Sequence, residues 1–323
     1  MRVLRQSLPP AESLAASVVT IGNFDGVHCA HQELFRGVVQ AARSLGVPAV
    51  VLTFDPHPAQ ILAPERVPKT LTPLSLKLRL IAEQGVDIVW ILPFTHALAQ
   101  FSPEEFVEQA LVRALRARQI HVGANFCFGR NRQGTVDRLR QLGETEGFAV
   151  HVLPLRMMRG EPVSSSRIRA LLDEGKISLA NRLLGRAYEL AGLVEPGEGR
   201  GRRLTVPTLN LGTPQQQLPR TGVYVTRTLL GERRFESVTN VGTRPTFGPH
   251  PLSIETYLLE DPPQGEENRL RIQFLYRLRE EKAFPTSEAL KAQIGNDIRR
   301  TRRYFHWQQF FSAWMAARSV GKS

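Results

Sequence analysis

Two histidines three residues apart, in Gly22-Asn-Phe-Asp-Gly-Val-His28-Cys-Ala-His31, are the strongest chemical signal in this chain. On a nascent helix that spacing puts both imidazoles on one side, and glycines at 22 and 26 permit close backbone approach and positive φ. Amide hydrogens exposed beside two imidazoles make a cradle for polyphosphate. A zinc pair is the alternative, because His-x-x-His also suits that ion, but the sequence supplies neither a third protein ligand nor the glutamate of a zincin. A histidine pair satisfied within the fold is the third option. A second phosphate signal lies downstream in Gly197-Glu-Gly199-Arg-Gly201-Arg202-Arg-Leu-Thr-Val-Pro207-Thr208-Leu-Asn210, a glycine-rich basic loop running into a strand. Its amides and the charge of Arg200, Arg202 and Arg203 suit a triphosphate, and a flexible surface turn is the other reading. Alternate residues of a strand share a face, so Thr208 and Asn210 point the same way.

Chemistry at these loops requires elements that hold them. Ser17 to Ile21, Ala49 to Phe54, Val86 to Leu92, Gln119 to Val122 and Phe148 to Leu153 are largely continuous apolar runs bounded by turn residues, which predicts strands buried on both faces. Leu34, Phe35, Val38, Ala42 and Leu45 recur at helical spacing between two of them, and Ser102-Pro-Glu-Glu opens another helix with an N-cap serine. This alternation predicts an α/β unit with a doubly wound, mostly parallel sheet, in which ligands sit at the carboxyl ends of strands. Gly22 to His31 lies at such an end. Past about residue 185 the pattern changes to short alternating runs: Tyr188 to Glu195, Gly222 to Leu230, Arg234 to Val241, Ile254 to Leu259 and Leu270 to Tyr276. These predict an antiparallel sheet or small barrel, followed by a helical tail from Thr286 to about Ala317. Helical turns around Ser165 to Leu172 and Leu179 to Leu184 join the halves, so the expected domains are 1–184 and 185–323.

A chain of 323 residues, 42% hydrophobic and 22% charged, has room for two such globular cores. No apolar run approaches the roughly 20 residues of a membrane span, so the expectation is a cytoplasmic protein without a membrane partner. Cys29 and Cys127 are the two cysteines; they form no disulfide framework, and each reads as a small buried apolar residue. The formal charge of +12 calls for anionic partners, and nucleic acid, anionic membrane and polyphosphate nucleotides all qualify. Basic clusters occur at Arg200 to Arg203 and Arg299 to Arg303, with no long basic tail. No basic helix with interleaved aromatics is evident, and nucleic acid therefore ranks low.

The first loop is similar to the Gly-x-Phe-Asp-Gly-x-His-x-Gly-His signature of the nucleotidyltransferase superfamily, in the form found in bacterial bifunctional riboflavin kinase/FAD synthetases; Ala30 stands at the usual third glycine. Three further segments follow in order. Thr53-Phe-Asp-Pro56-His-Pro58 resembles the family's Phe-x-Pro-His-Pro loop, Val122-Gly-Ala-Asn125-Phe-Cys-Phe128-Gly-Arg130 its Val-Gly-x-Asp/Asn-Phe-x-Phe-Gly segment, and Val163-Ser164-Ser165-Ser166-Arg167-Ile-Arg169 its Ile-Ser-Ser-Thr-x-Ile-Arg. The resemblance implies a Rossmann-like domain that adenylylates FMN to FAD. It places ATP at Gly22, Phe24, Asp25, Gly26, Asn125 and Arg130, with Ser164, Ser165, Ser166 and Arg169 on the triphosphate. His28 and His31 become the groups that stabilise the transferring phosphoryl, and Pro56, Pro58 and Phe128 apolar walls for the flavin, Phe128 being equally readable as core.

The second loop resembles the riboflavin kinase segment Gly-x-Gly-Arg-x-Leu-Gly-Phe-Pro-Thr-Ala-Asn-Leu, with Thr205 and Leu209 where the family has glycine and alanine. This implies ATP at Gly199, Gly201 and Arg202, and the Mg²⁺ carried by ATP on Thr208 and Asn210. Asn240-Val-Gly-Thr-Arg244-Pro-Thr-Phe resembles the family's Gly-x-Arg-Pro-Thr-Phe and puts Arg244 on the flavin side. Glu255 matches the glutamate that acts there as general base toward the ribityl 5′-hydroxyl. Leu275-Tyr-Arg277-Leu-Arg279-Glu-Glu-Lys-Ala-Phe284 matches a run on the flavin side, while the family's Asp-x-Tyr-Gly stretch is not recognisable in Glu260 to Glu267. The implied partners are riboflavin, FMN, FAD and ATP, with no permanently bound prosthetic group. Oligomeric state is not implied, and the tail from Tyr304 resembles nothing identified.

Overall fold

The computed structural model describes residues 1–9, 13–195, 208–212, 216–243, 252–260 and 269–320, and the chain divides into two compact units, 1–167 and 168–323.

The first unit is built on a six-stranded sheet of β1 (Arg2–Arg5), β2 (Ser17–Ile21), β3 (Ala49–Asp55), β4 (Ile88–Pro93), β5 (Ala117–Gly123) and β6 (Ala149–Leu153). The order is β1-β4-β3-β2-β5-β6, and every neighbouring pair is parallel. Alternate residues explain the continuous apolar runs. Val50, Leu52, Trp90 and Leu92 bury into one core cluster, whereas Val51, Val89 and Ile91 bury into another with Phe24, Leu34 and Phe35. β1 escapes sequence reading because its four residues form an edge strand that is mostly exposed. From β2 the chain winds outward through β3 to β4, then returns to the other side of β2 as β5 and β6. The switch point falls between β2 and β5, where a doubly wound sheet opens a crevice at its carboxyl ends.

Helix α1 (Cys29–Leu45) leaves β2 with His28 as its N-cap and stops at Gly46 in the left-handed conformation. α2 (Pro58–Leu62) follows β3, and α3 (Leu74–Ala82) packs Leu76, Leu80 and Ile81 inward. After α4 (His96–Ala99), α5 (Pro103–Phe106) starts on the Ser102 capping box and runs into a π-helical stretch, Val107–Ala114, which no periodicity announces. α6 (Val136–Glu146), the small hairpin β7 (Met157–Met158) and β8 (Glu161–Pro162), and α7 (Ser165–Asp173) complete the passage to α8 (Ile177–Leu184).

The second unit is a closed antiparallel barrel of β9 (Tyr188–Glu195), β10 (Leu209–Leu211), β11 (Gly222–Leu230), β12 (Arg233–Thr243), β13 (Leu252–Leu258) and β14 (Arg269–Arg279), in the order β10-β13-β12-β11-β14-β9. Closure removes sheet edges. Its interior holds a ring of fully buried hydroxyls in which Thr226 meets Ser237 and Thr239, Thr228 meets Ser237 and Thr256, and Thr239 meets Thr256, at 2.7 to 3.1 Å. Each of the five therefore has two partners inside an otherwise apolar barrel, which removes the penalty of burying an unpaired polar group. One helix, α9 (Ser287–Val320), follows the barrel.

Candidate functional sites

The loop after β2 is held in a conformation its residues would not adopt alone. Phe24 and Val27 have φ of 49° and 41°, Gly26 has 85°, and two non-glycine residues there mark strain that the surroundings must offset. Phe24 packs edge-on against His31 and Phe35, with ring centroids 5.2 and 4.8 Å away, and a side chain at Gly22 would press on the Phe24 ring at 3.0 Å. The structure brings His28 and His31 together as stacked rings 3.5 Å apart. His28 is buried, and its Nδ1 accepts the His31 backbone N–H at 3.4 Å. One imidazole thus caps the helix while lying against the other.

Asp25 differs from the expectation. Its buried carboxylate accepts from Leu71 N, Thr72 N and the Thr72 hydroxyl at 3.0 to 3.2 Å, so its oxygens point into the protein and clasp the 71–72 segment. These bonds give it a positioning role in the loop. Thr53 and Lys77 donate to the carbonyl of Asn23 at 3.3 and 2.7 Å, and the Asn23 amide meets His57 Nε2 at 3.4 Å. Burial pushes the Lys77 amine below its ordinary range, while Asp25 and Asp55 pull it back up. Sequence reasoning missed Thr72 and Lys77, which belong to no local motif and reach the loop only through the fold.

Ser165 donates to the carbonyl of Asp25 at 2.8 Å and ties the start of α7 to the loop. Ser164 accepts from Arg167 N at 3.2 Å as the N-cap, and Ser166 is exposed. Arg167 is spent on the Met158 and Glu161 carbonyls and the Glu161 carboxylate, whereas Arg169 lies half-buried one turn into α7. Asn125 and Arg130 are exposed after β5, and Pro56 and Pro58 are half-buried after β3. Since β3, β2 and β5 are adjacent and parallel, the loops carrying these residues and the histidines emerge from the same end of the sheet.

Phe128 is a correction. Its ring is buried in the core between Phe106 and Phe126, at centroid distances of 5.9 and 5.5 Å, because the Phe128–Gly134 bridge folds it over Gly134, where a Cβ would come within 2.6 Å of the ring. Its packing is that of a core ring. The cysteines also depart from expectation, Cys29 being half-buried and Cys127 exposed.

We expect Asp25→Ala to strand three buried donors. Each unmade bond of this kind costs about 1–3 kcal/mol, so the first unit should lose at least about 2 kcal/mol in urea unfolding; an unchanged midpoint would show that the clasp is not needed.

In the second unit, a cavity of about 670 Å³ is lined by Thr208, Asn240, Glu255, Arg279, Glu281 and Phe284 among others. Its chemistry comes from a row across three strands: Asn210 of β10 and Asn240 of β12 both lie opposite Glu255 of β13. Directly opposed residues share a face, so one carboxylate is flanked by two amides. Asn240 was not singled out from sequence, because β12 is largely polar and one more amide in it carries no signal. A side chain at Gly242 would collide with the Glu281 carboxylate. Arg279 lies within the lining, its Nε and Nη2 each 2.9 Å from Asp297 Oδ2 of α9.

Arg277 is the second correction. Its Nη2 donates to the Thr221 carbonyl at 2.7 Å, and its Cδ lies 2.8 Å from where a Cβ on Gly175 would be. Consecutive residues Val223 and Tyr224 pair with Arg279 and Arg277, so a bulge at Leu278 breaks the two-residue alternation. The two arginines therefore point differently, and Arg277 is not part of the cavity lining. Gly199, Gly201, Arg202, Thr205 and Arg244 lie outside the described residues. Among the described residues no group of three His, Cys, Asp or Glu could hold a metal. Thr208 and Asn210, two neutral oxygen donors, suit a Mg²⁺ that arrives with phosphate ligands of its own.

Residues 11–167 match the family described as FAD synthetase, and residues 184–305 that described as riboflavin kinase. The chain is 37% identical to a bifunctional riboflavin kinase/FMN adenylyltransferase from Pseudomonas fluorescens over 87% of this chain and 90% of that one. The enzyme of the same name from Escherichia coli (strain K12) is 34% identical over 89% and 92%. A solved structure from Streptococcus pneumoniae, described as a macrolide-efflux protein, superposes with a TM-score of 0.85 at 27% identity, covering 94% of this chain and 99% of that one.

Proposed function

The chain belongs to the bifunctional riboflavin kinase/FMN adenylyltransferase family, and we infer that it makes FAD from riboflavin in two steps, each on its own unit. The barrel phosphorylates riboflavin to FMN, and the parallel-sheet unit adenylylates FMN to FAD. The observation that carries this reading is that each unit presents a site of its own: the stacked His28 and His31 at a carboxyl-end loop, and Glu255 between two amides on a cavity wall. We place the boundary between the activities at Leu184–Gly185, where α8 ends on a left-handed glycine. We also place the protein in the cytoplasm.

In the kinase step the ribityl 5′-hydroxyl attacks the γ-phosphorus of ATP, Glu255 takes the proton, and the bond to the bridging oxygen breaks to release ADP. Thr208 and Asn210 would hold the Mg²⁺, which supplies charge neutralisation at the phosphates. In the second step an FMN phosphate oxygen attacks the α-phosphorus of ATP and pyrophosphate leaves. FMN is already an anion, so no proton need be removed. The protein's task is positioning and neutralisation: His28 and His31 bind the transferring phosphoryl region, and Ser166, Arg169, Asn125 and Arg130 take the remaining phosphates. Asp25 and Ser165 hold the loop. Pro56 and Pro58 face the flavin.

Incubation of the purified chain with riboflavin, ATP and Mg²⁺, followed by separation of the flavins, tests this. FMN and then FAD should appear; formation of neither would overturn the reading, and FMN without FAD would restrict it to the barrel.

A further inference from the structure

The riboflavin kinase match stops at residue 305, but α9 continues to Val320. The barrel holds this helix as far as its middle: Thr301 and Phe305 are buried, Arg227 lies over the Phe305 ring at 5.7 Å, and Gln308 reaches Arg227 at 3.5 Å. Opposite that docked side, Trp307, Phe310 and Phe311 are 61, 58 and 60% exposed. They stand at i, i+3 and i+4, in line with the exposed Arg300 and Arg303 one and two turns earlier. The sequence repeats the pattern at Trp314 and Arg318. From residue 298 to 323 there are six basic residues (Arg299, Arg300, Arg302, Arg303, Arg318 and Lys322) and no acidic one. Sequence reading had set the basic cluster apart from the aromatics, whereas the helix places them on one face.

We propose that this face is a docking surface for an anionic lipid membrane, with α9 lying in the interface and its aromatic ridge inserted among the headgroups. Exposed aromatic rings with arginines one and two turns away can seat at a headgroup layer, the rings in the interface and the guanidiniums on lipid phosphates, and such binding needs no spanning segment; among the described residues no helix is long and apolar enough to cross a membrane. The occupant follows from charge and shape. A second copy of this stretch would bring like charges together, since residues 298–320 hold no carboxylate of their own. A nucleic acid would need a basic groove that tracks its backbone beside open ring faces, whereas Trp307 and Phe310 turn edge to face at 6.1 Å on a convex helix surface. A lipid surface accepts both the ridge and the charge, and the expectation of no membrane partner rested only on the lack of a spanning run.

The test is flotation of the full chain with vesicles of phosphatidylglycerol mixed into phosphatidylcholine, and with phosphatidylcholine alone. We expect binding that requires phosphatidylglycerol, weakens as salt is raised, and shifts tryptophan emission to the blue. Trp307→Gln/Phe310→Gln/Phe311→Gln should weaken it at least about tenfold with riboflavin kinase and FAD-forming rates unchanged, since these exposed residues lie outside both sites. Arg303→Glu should weaken it separately; Arg300 is left in place because its Nη2 donates to the Leu278 carbonyl of β14 at 3.3 Å. No binding to the anionic vesicles, or binding by either variant as tight as that of the wild type, overturns the proposal. So does vesicle-independent capture of single-stranded DNA, or a concentration-dependent dimer, that the aromatic variant abolishes.

Discussion

Replacing His28 by alanine should make FMN accumulate in place of FAD. The imidazole is buried at the head of α1 and stacked on His31, so its removal takes away the ring that lies against its partner and, on the proposed role, a preorganised group at the transferring phosphoryl. Loss of one such donor typically costs about 10²–10³ in rate, or about 3–4 kcal/mol. FMN formation from riboflavin should continue, because the barrel has its own base and cavity. His28 also caps α1 through Nδ1, and the loss of a cap costs about 1 kcal/mol, which could be confused with a lost catalytic group. His28→Asn separates the two effects: a side-chain oxygen can accept the capping N–H but cannot act as an imidazole. The asparagine variant should recover the thermal midpoint and remain unable to make FAD. Wild-type FAD formation by either variant would remove His28 from the reaction.

What could be seen in the sequence depended on how local its cause was. The strands of the parallel sheet were legible because burial on both faces writes an unbroken apolar run, and the barrel strands because alternation is itself local. β1 was not, since Arg2–Arg5 lies at an edge and carries no such run. Among site residues, the histidine pair could be found from spacing alone. Asp25 could be found but its role could not, because the Leu71 and Thr72 groups it accepts from lie 46 and 47 residues away. Lys77 reaches Asn23 across 54 residues and left no local trace. Arg277 was placed with Arg279 by resemblance to one run, and a motif fixes order along the chain but not facing: the bulge at Leu278 turns the two arginines apart. Phe128 was undecided from sequence because an aromatic beside a phosphate loop fits either a ligand wall or a core, and only its packing on Phe106 and Phe126 distinguishes them.

Glu255→Gln should reverse the first result, blocking FMN formation while leaving conversion of supplied FMN to FAD at its normal rate. Glutamine preserves the length of the side chain and its place in the row between Asn210 and Asn240, so the barrel should keep its fold and its cavity. What it loses is the ability to accept a proton from the ribityl hydroxyl, a contribution of typically about 10²–10⁴ in rate. Riboflavin binding, followed by quenching of its fluorescence, should change far less than kcat, because the substitution leaves the cavity walls in place and acts on the transition state. Asn240→Ala offers the complementary measurement: it removes a neighbour of the carboxylate but leaves the base, so FMN formation should fall by less than in the glutamine variant. A Glu255→Gln protein that still converts riboflavin to FMN at the wild-type rate would show that the hydroxyl loses its proton elsewhere, and the row on β10, β13 and β12 would then be a binding wall only.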